Sequence, residues 1–407
     1  MSRTVRRLVR DMRTNGSAAG RTRRRGADPR AMREANRLLV LNCIREQGPL
    51  ARVTLARRTG LSRTTVSSLI DALLKDGLAR EGETQSAAPS GGRRPILVHF
   101  NETAGTILGI DLGRTHYTVI ATNLAAEVLA RQSGPCDTDL GPEATLQHLV
   151  QKIAAFVAAS DITWDRVVGI GMGMPGPMDG VRRTLVAPPR MPGWHGVDIP
   201  RILARELNVP IYLNNDANLG ALGESRFGAG RGVAVMAYVK VGTGIGCGLV
   251  INGQLYTGSH GFAGELGHVT LEENGALCEC GNRGCLETVT AAPAIVADAD
   301  AGHSLRRAAA PKGEVTHASP ALAAGDNLDI ADVVRAAQAG DPASCAAIAR
   351  AGDLIGIALA GLVNLINPSL IVIDGGVARA GELFIAPIRA AIVARSLAAA
   401  SAAVRIE

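Results

Sequence analysis

Thirty residues, 258–287, limit what this chain can become more than any other stretch. They read G-S-H-G-F-A-G-E-L-G-H-V-T-L-E-E-N-G-A-L-C-E-C-G-N-R-G-C-L-E, with His268, Cys278, Cys280 and Cys285 in an H-x9-C-x-C-x4-C pattern. Three thiolates and one imidazole are the ligand set of a closed, structural zinc site, with no position left for a catalytic water. Gly281 and Gly284 permit the tight turns needed to aim three sulfurs at one point. A disulfide pair or buried free thiols are the plainer readings, and the close spacing of four ligands speaks against them. Glu265 stands three residues before His268 and Glu287 two after Cys285. A metal-pinned loop would thus carry two carboxylates able to grip the hydroxyls of a polyol.

The chain of 407 residues has room for two or three domains. Its charge is divided. Residues 1–100 hold 21 Lys and Arg against 8 Asp and Glu, a net of +13, whereas the other 307 hold 22 against 29, a net of −7. That asymmetry places a nucleic-acid-facing part ahead of an acidic globule. No secretory apolar run follows the basic N-terminus, which does not read as a signal peptide. The most apolar stretch, 348–366, contains Arg350, Asp353 and Asn364 and reads as a buried helix rather than a membrane span. Seven cysteines, three of them in the metal pattern, fit a reducing cytoplasm better than a disulfide framework.

Residues 1–28 form a basic, disordered arm with nine arginines, either a phosphate-tracking tail or a solvated leader. Three helices follow. The first, 31–46, turns Leu38, Leu39, Leu41 and Ile44 to one face and stops at Gly48-Pro49; the second, 52–59, ends at Gly60, where a tight turn needs positive φ. Ser62 caps the third, with Val66, Leu69, Ile70, Leu73 and Leu74 inward and Gly77 closing it. This is a helix-turn-helix pattern, and Ser62, Arg63, Thr64, Thr65 and Ser67 at the start of the last helix are the candidates for base edges. Helices also pack this way in proteins that never touch DNA; the +13 charge assigns these to it. Strands at 78–80 and 96–100 read as a wing. Arg93 and Arg94 at its tip suit a narrow minor groove, and the same segment also serves as a linker.

From Ile107 the pattern turns α/β. A strand, a turn with Asp111, Gly113 and Thr115, and a return strand are followed by a third strand at 127–131, a helix at 143–159 and a buried strand at 167–172. A helix from Pro200 to Asn208 and a strand at 211–213 deliver N-N-D-A-N. Asn215 and Asp216 therefore sit where a strand ends and a helix begins, the ligand-binding edge of an α/β sheet, although a plain helix cap uses the same residue types. A second strand–turn–strand, 233–251, carries Gly242, Thr243 and Gly244 in a Gly-rich turn. Residues 291–328 say little. A long helix from Asp341-Pro342 to Asn364 and a strand at 370–373 lead to Gly375 and Gly376.

The G-E-L-G-H and C-x-C-G-x-x-G-C-L-E motifs, with N-D-A-N and the front helices, resemble the ROK family of sugar kinases and sugar-responsive repressors over about residues 30–400. The resemblance implies an α/β chain in which a winged helix-turn-helix (29–100) precedes a two-lobed actin-like ATPase domain (101–407). It implies sugar binding by Asn215, Asp216, Glu265, His268 and Glu287, with Asp216 the general base in a kinase. Asp111, Gly113, Thr115, Gly242, Thr243, Gly244, Gly375 and Gly376 would hold a nucleotide. Structural zinc is the expected cofactor, with ATP and Mg²⁺ only for a kinase. Expected partners are operator DNA and a sugar effector, but no membrane, for a cytoplasmic homodimer or larger homo-oligomer reading a palindrome.

Three departures bear on activity. The family's kinases carry D-x-G-G-T-K where this chain has Asp111-Leu112-Gly113-Arg114-Thr115-His116; Cys247 sits between Gly246 and Gly248 beside the expected phosphate path; and relatives continue past the equivalent of Glu407 with a further strand turn and a closing helix. The expectation is a transcriptional regulator, a repressor, with an active sugar kinase as the alternative.

Overall fold

A computed structural model describes residues 28–84, 95–179, 184–186, 191–309 and 328–407. Arg93 and Arg94, and all of the arm before Asp28, lie outside the described residues. The chain divides into two compact units, Met1–Met172 with Asp198–Leu213, and Gly173–Val197 with Asn214–Glu407.

The first unit opens with α1 (Pro29–Gln47), the short strand β1 (Leu50–Ala51), α2 (Arg52–Thr59) and α3 (Arg63–Lys75). Asp28 caps α1 with Pro29 at its first position, and Gly60 takes φ +69° between α2 and α3, as the turn requires. β2 (Ala79–Thr84) and β3 (Ile96–Phe100) form the antiparallel wing, joined by β1 on the far side of β3. The wing strand starts one residue later than expected because Leu78 turns into the core. It also runs farther, to Thr84. Val40, Ile44, Leu55, Val66, Leu69, Ile70, Leu73, Leu78 and Val98 form that core, which continues to Val168 of the following sheet. Asn101 fastens the junction, donating from its backbone to Leu78 O and from its amide to Gly77 O.

The following sheet comprises β4 (Thr106–Leu112), β5 (His116–Asn123), β6 (Val128–Pro135), β7 (Val167–Met174) and β8 (Ile211–Asn215) in the order β6-β5-β4-β7-β8. Helices α4 (Pro142–Ala159) and α5 (Ile199–Leu207) belong with it, and Asn208 ends α5 in the left-handed region.

The second unit repeats that strand order. Helix α6 (Asp216–Phe227) is followed by β9 (Val235–Val241), β10 (Ile245–Ile251), β11 (Gln254–Tyr256), the loop with the four candidate metal ligands, α7 (Glu287–Thr290) and α8 (Ala292–Ala309). Then come α9 (Ile330–Gln338), α10 (Pro342–Ile366), β12 (Leu370–Asp374), α11 (Glu382–Arg395), α12 (Ala398–Ala403) and β13 (Arg405–Ile406). The sheet runs β11-β10-β9-β12-β13: the hairpin strands are antiparallel, and β12 is parallel to β9 and β13. Both faces of β9 are covered, so it reads as a near-continuous apolar run. Met236 and Tyr238 face α6, while Ala237, Val239 and Val241 join Ile348, Ile355, Leu359, Phe384 and Ile388 on the other side. Helix α10 is long and apolar enough to cross a membrane by length and composition, but 56% of its most apolar window is buried here. Helix α8 falls in the stretch that the sequence left blank.

Candidate functional site

The loop that carries His268 and the three cysteines folds back on itself through small bridges, Thr270 opposite Cys285 and Leu277 opposite Arg283. Gly281 and Gly284 take φ +93° and +65°, and Cys278 N–H donates to Asn282 O at 2.7 Å. One donor atom from each of His268, Cys278, Cys280 and Cys285 lies within 4.8 Å of the others. Cys280 Sγ and Cys285 Sγ are 3.7 Å apart, and so are Cys278 Sγ and His268 Nδ1. Four ligands on bonds of about 2.3 Å stand about 3.8 Å apart along a tetrahedral edge. The separations fit a metal ion and exclude a formed disulfide. Burial pushes the Cys278 and Cys285 thiols up, a shift that a bound cation reverses.

Carboxylates surround this cluster. Glu287, the first residue of α7, is buried; its Oε1 accepts from Cys278 Sγ at 3.2 Å and lies 3.7 Å from His268 Nδ1. The other ring nitrogen, Nε2, faces Glu265 Oε2 at 3.9 Å. His268 can thus turn one nitrogen to a metal and the other to the carboxylate side, an arrangement that fixes its tautomer. Burial pushes the Glu265 carboxyl up, His268 opposes the shift, and the charges of Glu287 and Asp216 add to it. Glu265, His268 and Glu287 are therefore brought together, with Asp216 close enough to act on Glu265.

Asn215 is the N-cap of α6. Its Oδ1 accepts from Asn218 N–H and its Nδ2 donates to Gly176 O, so both ends of the amide hold the helix start in place. Asp216 follows, its Oδ2 accepting from Lys240 Nζ at 2.8 Å. Lys240 was not singled out from the sequence. The available signal was a lone charge in the apolar run V-M-A-Y-V-K-V.

The residues expected on a nucleotide are divided between the units. In the first, Asp111 is the last residue but one of β4, and Gly113 N–H donates to His116 O. An added Cβ at Gly113 would come within 2.7 Å of the His116 ring, so the imidazole lies over the turn. Arg114 Nη2 pairs with Asp139 Oδ2 at 2.9 Å, and Thr115 O accepts from Cys136 N–H. In the second, Gly242 and Thr243 lead to Gly244, whose added Cβ would lie 3.0 Å from Glu287 Oε2. Asp374, beside Gly375 and Gly376, accepts from the Tyr238 hydroxyl. Cys247, expected beside the phosphate path, instead points into the apolar core with Leu249, Leu266 and Leu286, because strand alternation gives the α6 face to Gly246 and Gly248.

At the front of the chain, Ser62 caps α3 by accepting from Thr65 N–H at 3.1 Å, and its hydroxyl also meets Thr64 Oγ1 and Thr65 Oγ1. Arg63, Thr64, Ser67, Ser68 and Asp71 line one open groove. Arg52 braces this helix against the wing. It donates to Asp71 at 2.8 Å, to Glu81 at 2.9 Å and to Ser67 O. Sequence reading missed it, since its partners lie on two other elements.

A three-helix winged head on the first of two sheets with one strand order is the architecture of a DNA-binding module fused to an actin-like ATPase fold. Residues 107–406 match the ROK family model and residues 33–80 a winged helix-turn-helix DNA-binding model, and the chain belongs to the ROK family. It is 32% identical over 377 residues to the xylose repressor of Caldicellulosiruptor bescii, covering 92% of each chain. Among solved structures it is similar to a ROK family transcriptional regulator, a homolog of the E. coli MLC protein, at 27% identity and TM-score 0.77 over 92% of this chain and 91% of that one. It is also similar to a ROK family glucokinase from Streptomyces griseus, solved with glucose and AMPPNP, at 27% identity and TM-score 0.63 over 70% of this chain and 88% of the other.

Proposed function

We propose that this chain is a sugar-responsive, DNA-binding transcriptional repressor of the cytoplasm. In this reading, Ser62, Arg63, Thr64, Thr65 and Ser67 meet operator DNA, with Arg93 and Arg94 following the minor groove. Asp216, Glu265, His268 and Glu287 take the effector sugar, and Asn215 holds the start of α6 for them. Zinc on His268, Cys278, Cys280 and Cys285 braces the loop; it needs no open coordination position and does no chemistry. A homodimer on a palindromic operator suits the winged helix. The observation that carries the reading is one chain with both parts: a capped, groove-lining helix in a basic front and a carboxylate cluster on a metal-ready loop. Relatives spanning both parts, among them a repressor, support it.

Sugar binding acts on DNA affinity only through a difference in affinity for two states of the protein. The test is fluorescence anisotropy of labelled operator DNA, titrated with xylose, glucose and amino sugars. Glu287→Gln is expected to bind DNA as the wild type does and to keep it when the sugar is added. Release by that variant at wild-type sugar concentrations would remove the carboxylate cluster from the sugar site.

A second reading, an active sugar kinase, is favoured by Asp216 at the start of α6, where a base can meet a sugar hydroxyl. Arg114 held by Asp139 and His116 lying over Gly113 weigh against it.

A further inference from the structure

Lys240 has no part in that reading, yet it touches its central carboxylate. It is the only charged residue of β9, and its side chain is 31% exposed against 15% for Asp216. Nζ donates to Asp216 Oδ2 at 2.8 Å, and Oδ1 of the same carboxylate accepts from Ala217 N–H at 2.9 Å. Both oxygens of Asp216 are engaged. The pair meets because two glycines of β10 let α6 settle onto the sheet. A Cβ at Gly246 would stand 2.8 Å from Ala217 Cβ, and one at Gly248 would stand 2.5 Å from Ala217 O.

An ammonium donor in contact with a carboxylate acceptor is bridged by a group that donates and accepts at once. A hydroxyl does this, giving its proton to Asp216 and a lone pair to Lys240. A ligand carboxylate there would meet the negative charges of Asp216, Glu265 and Glu287. A ligand ammonium would meet Lys240. A ring carbon stripped of its hydroxyl would leave both partners without the bond they make to the ligand. We propose that Lys240 is a specificity-determining residue that, together with Asp216, reads one free hydroxyl of a neutral polyol. The inference rests on the sugar-binding reading above and names the hydroxyl-bearing position as the point of selection.

The experiment is isothermal titration of the full-length, metal-loaded chain with D-xylose, D-glucose and the 2-, 3-, 4- and 6-deoxyglucoses. Wild type, Lys240→Met, Lys240→Arg and Glu287→Gln are compared, with metal content measured on each sample as a check of fold. Wild type is expected to reject one deoxy analogue far more than the rest. Lys240→Met should bind the parent sugar roughly 10- to 100-fold more weakly and should no longer distinguish it from that analogue. Lys240→Arg, which keeps charge and donors, should recover part of the discrimination; Lys240→Gln carries the comparison if Lys240→Met does not fold. Unchanged discrimination in Lys240→Met, with binding lost in Glu287→Gln, would overturn the role of Lys240 and leave the sugar site standing. A wild type that binds no sugar of the panel would remove the sensing reading, and this inference with it.

Discussion

Cysteines of this chain show how one residue type takes opposite roles according to its surroundings. Cys247 is buried in an apolar core, where burial and the nearby Glu265 charge push its thiol up to about 12, so it packs as a small hydrophobe. Cys278, Cys280 and Cys285 converge with His268 at tetrahedral spacing, and Cys280 remains exposed. A metal ion would turn that convergence into folding free energy, because thiolates forced together without a cation repel one another. The wild type is therefore expected to purify with about one zinc per chain, measured by elemental analysis. Cys280→Ser should lose most of the metal and weaken the response to sugar, since the loop that carries Glu265 and Glu287 loses its brace. Freshly purified wild type free of metal would sink the structural-zinc assignment.

At the scale of an element, α3 is the part on which the proposed DNA recognition depends. Its first turn is organised by the Ser62 cap, a device worth about 1 kcal/mol, and its orientation by Arg52, which ties Asp71 and Ser67 of α3 to Glu81 of the wing. Those ion pairs are partly exposed, so they add little stability. Their effect is geometric: a helix held at one angle presents Arg63, Thr64 and Ser67 together. Arg63→Ala is expected to cost roughly 1–3 kcal/mol of operator binding and to relax preference at the base it meets, read by anisotropy on a panel of single-base operator variants. Equal loss on every sequence would make Arg63 a phosphate contact instead.

For the whole molecule, the question is whether a kinase-like fold still performs kinase chemistry. Phosphoryl transfer requires the triphosphate held in line, by close backbone approach and cationic stabilisation. In the first unit, the turn at Gly113 has His116 over it, and the guanidinium of Arg114 is held by Asp139. In the second, Asp216 meets Lys240 before any substrate arrives. A coupled ATP-hydrolysis assay with hexoses and amino sugars is expected to find no turnover at ordinary kinase rates. Turnover that Asp216→Asn abolishes would establish an enzyme and end the regulator-only reading.

The sequence by itself determined those features that depend on neighbours along the chain. The ends of α2 and α3 followed from Gly60, Ser62 and Gly77, the start of α10 from Asp341-Pro342, and the convergence of His268 with three cysteines from their spacing within eighteen residues, because caps, turns and short loops are local physics. Residues 291–309 were illegible, since an Ala-rich run carries little periodicity and α8 is held by packing against α10. Only the tertiary structure decided which groups lie opposite one another. It turned Cys247 into the core and Gly246 toward α6, put Arg52 between two acids of different elements, and brought Lys240 to Asp216 across 24 positions of chain. A strand's alternation and a helix's depth of packing set such meetings, and neither is written in the spacing of a motif.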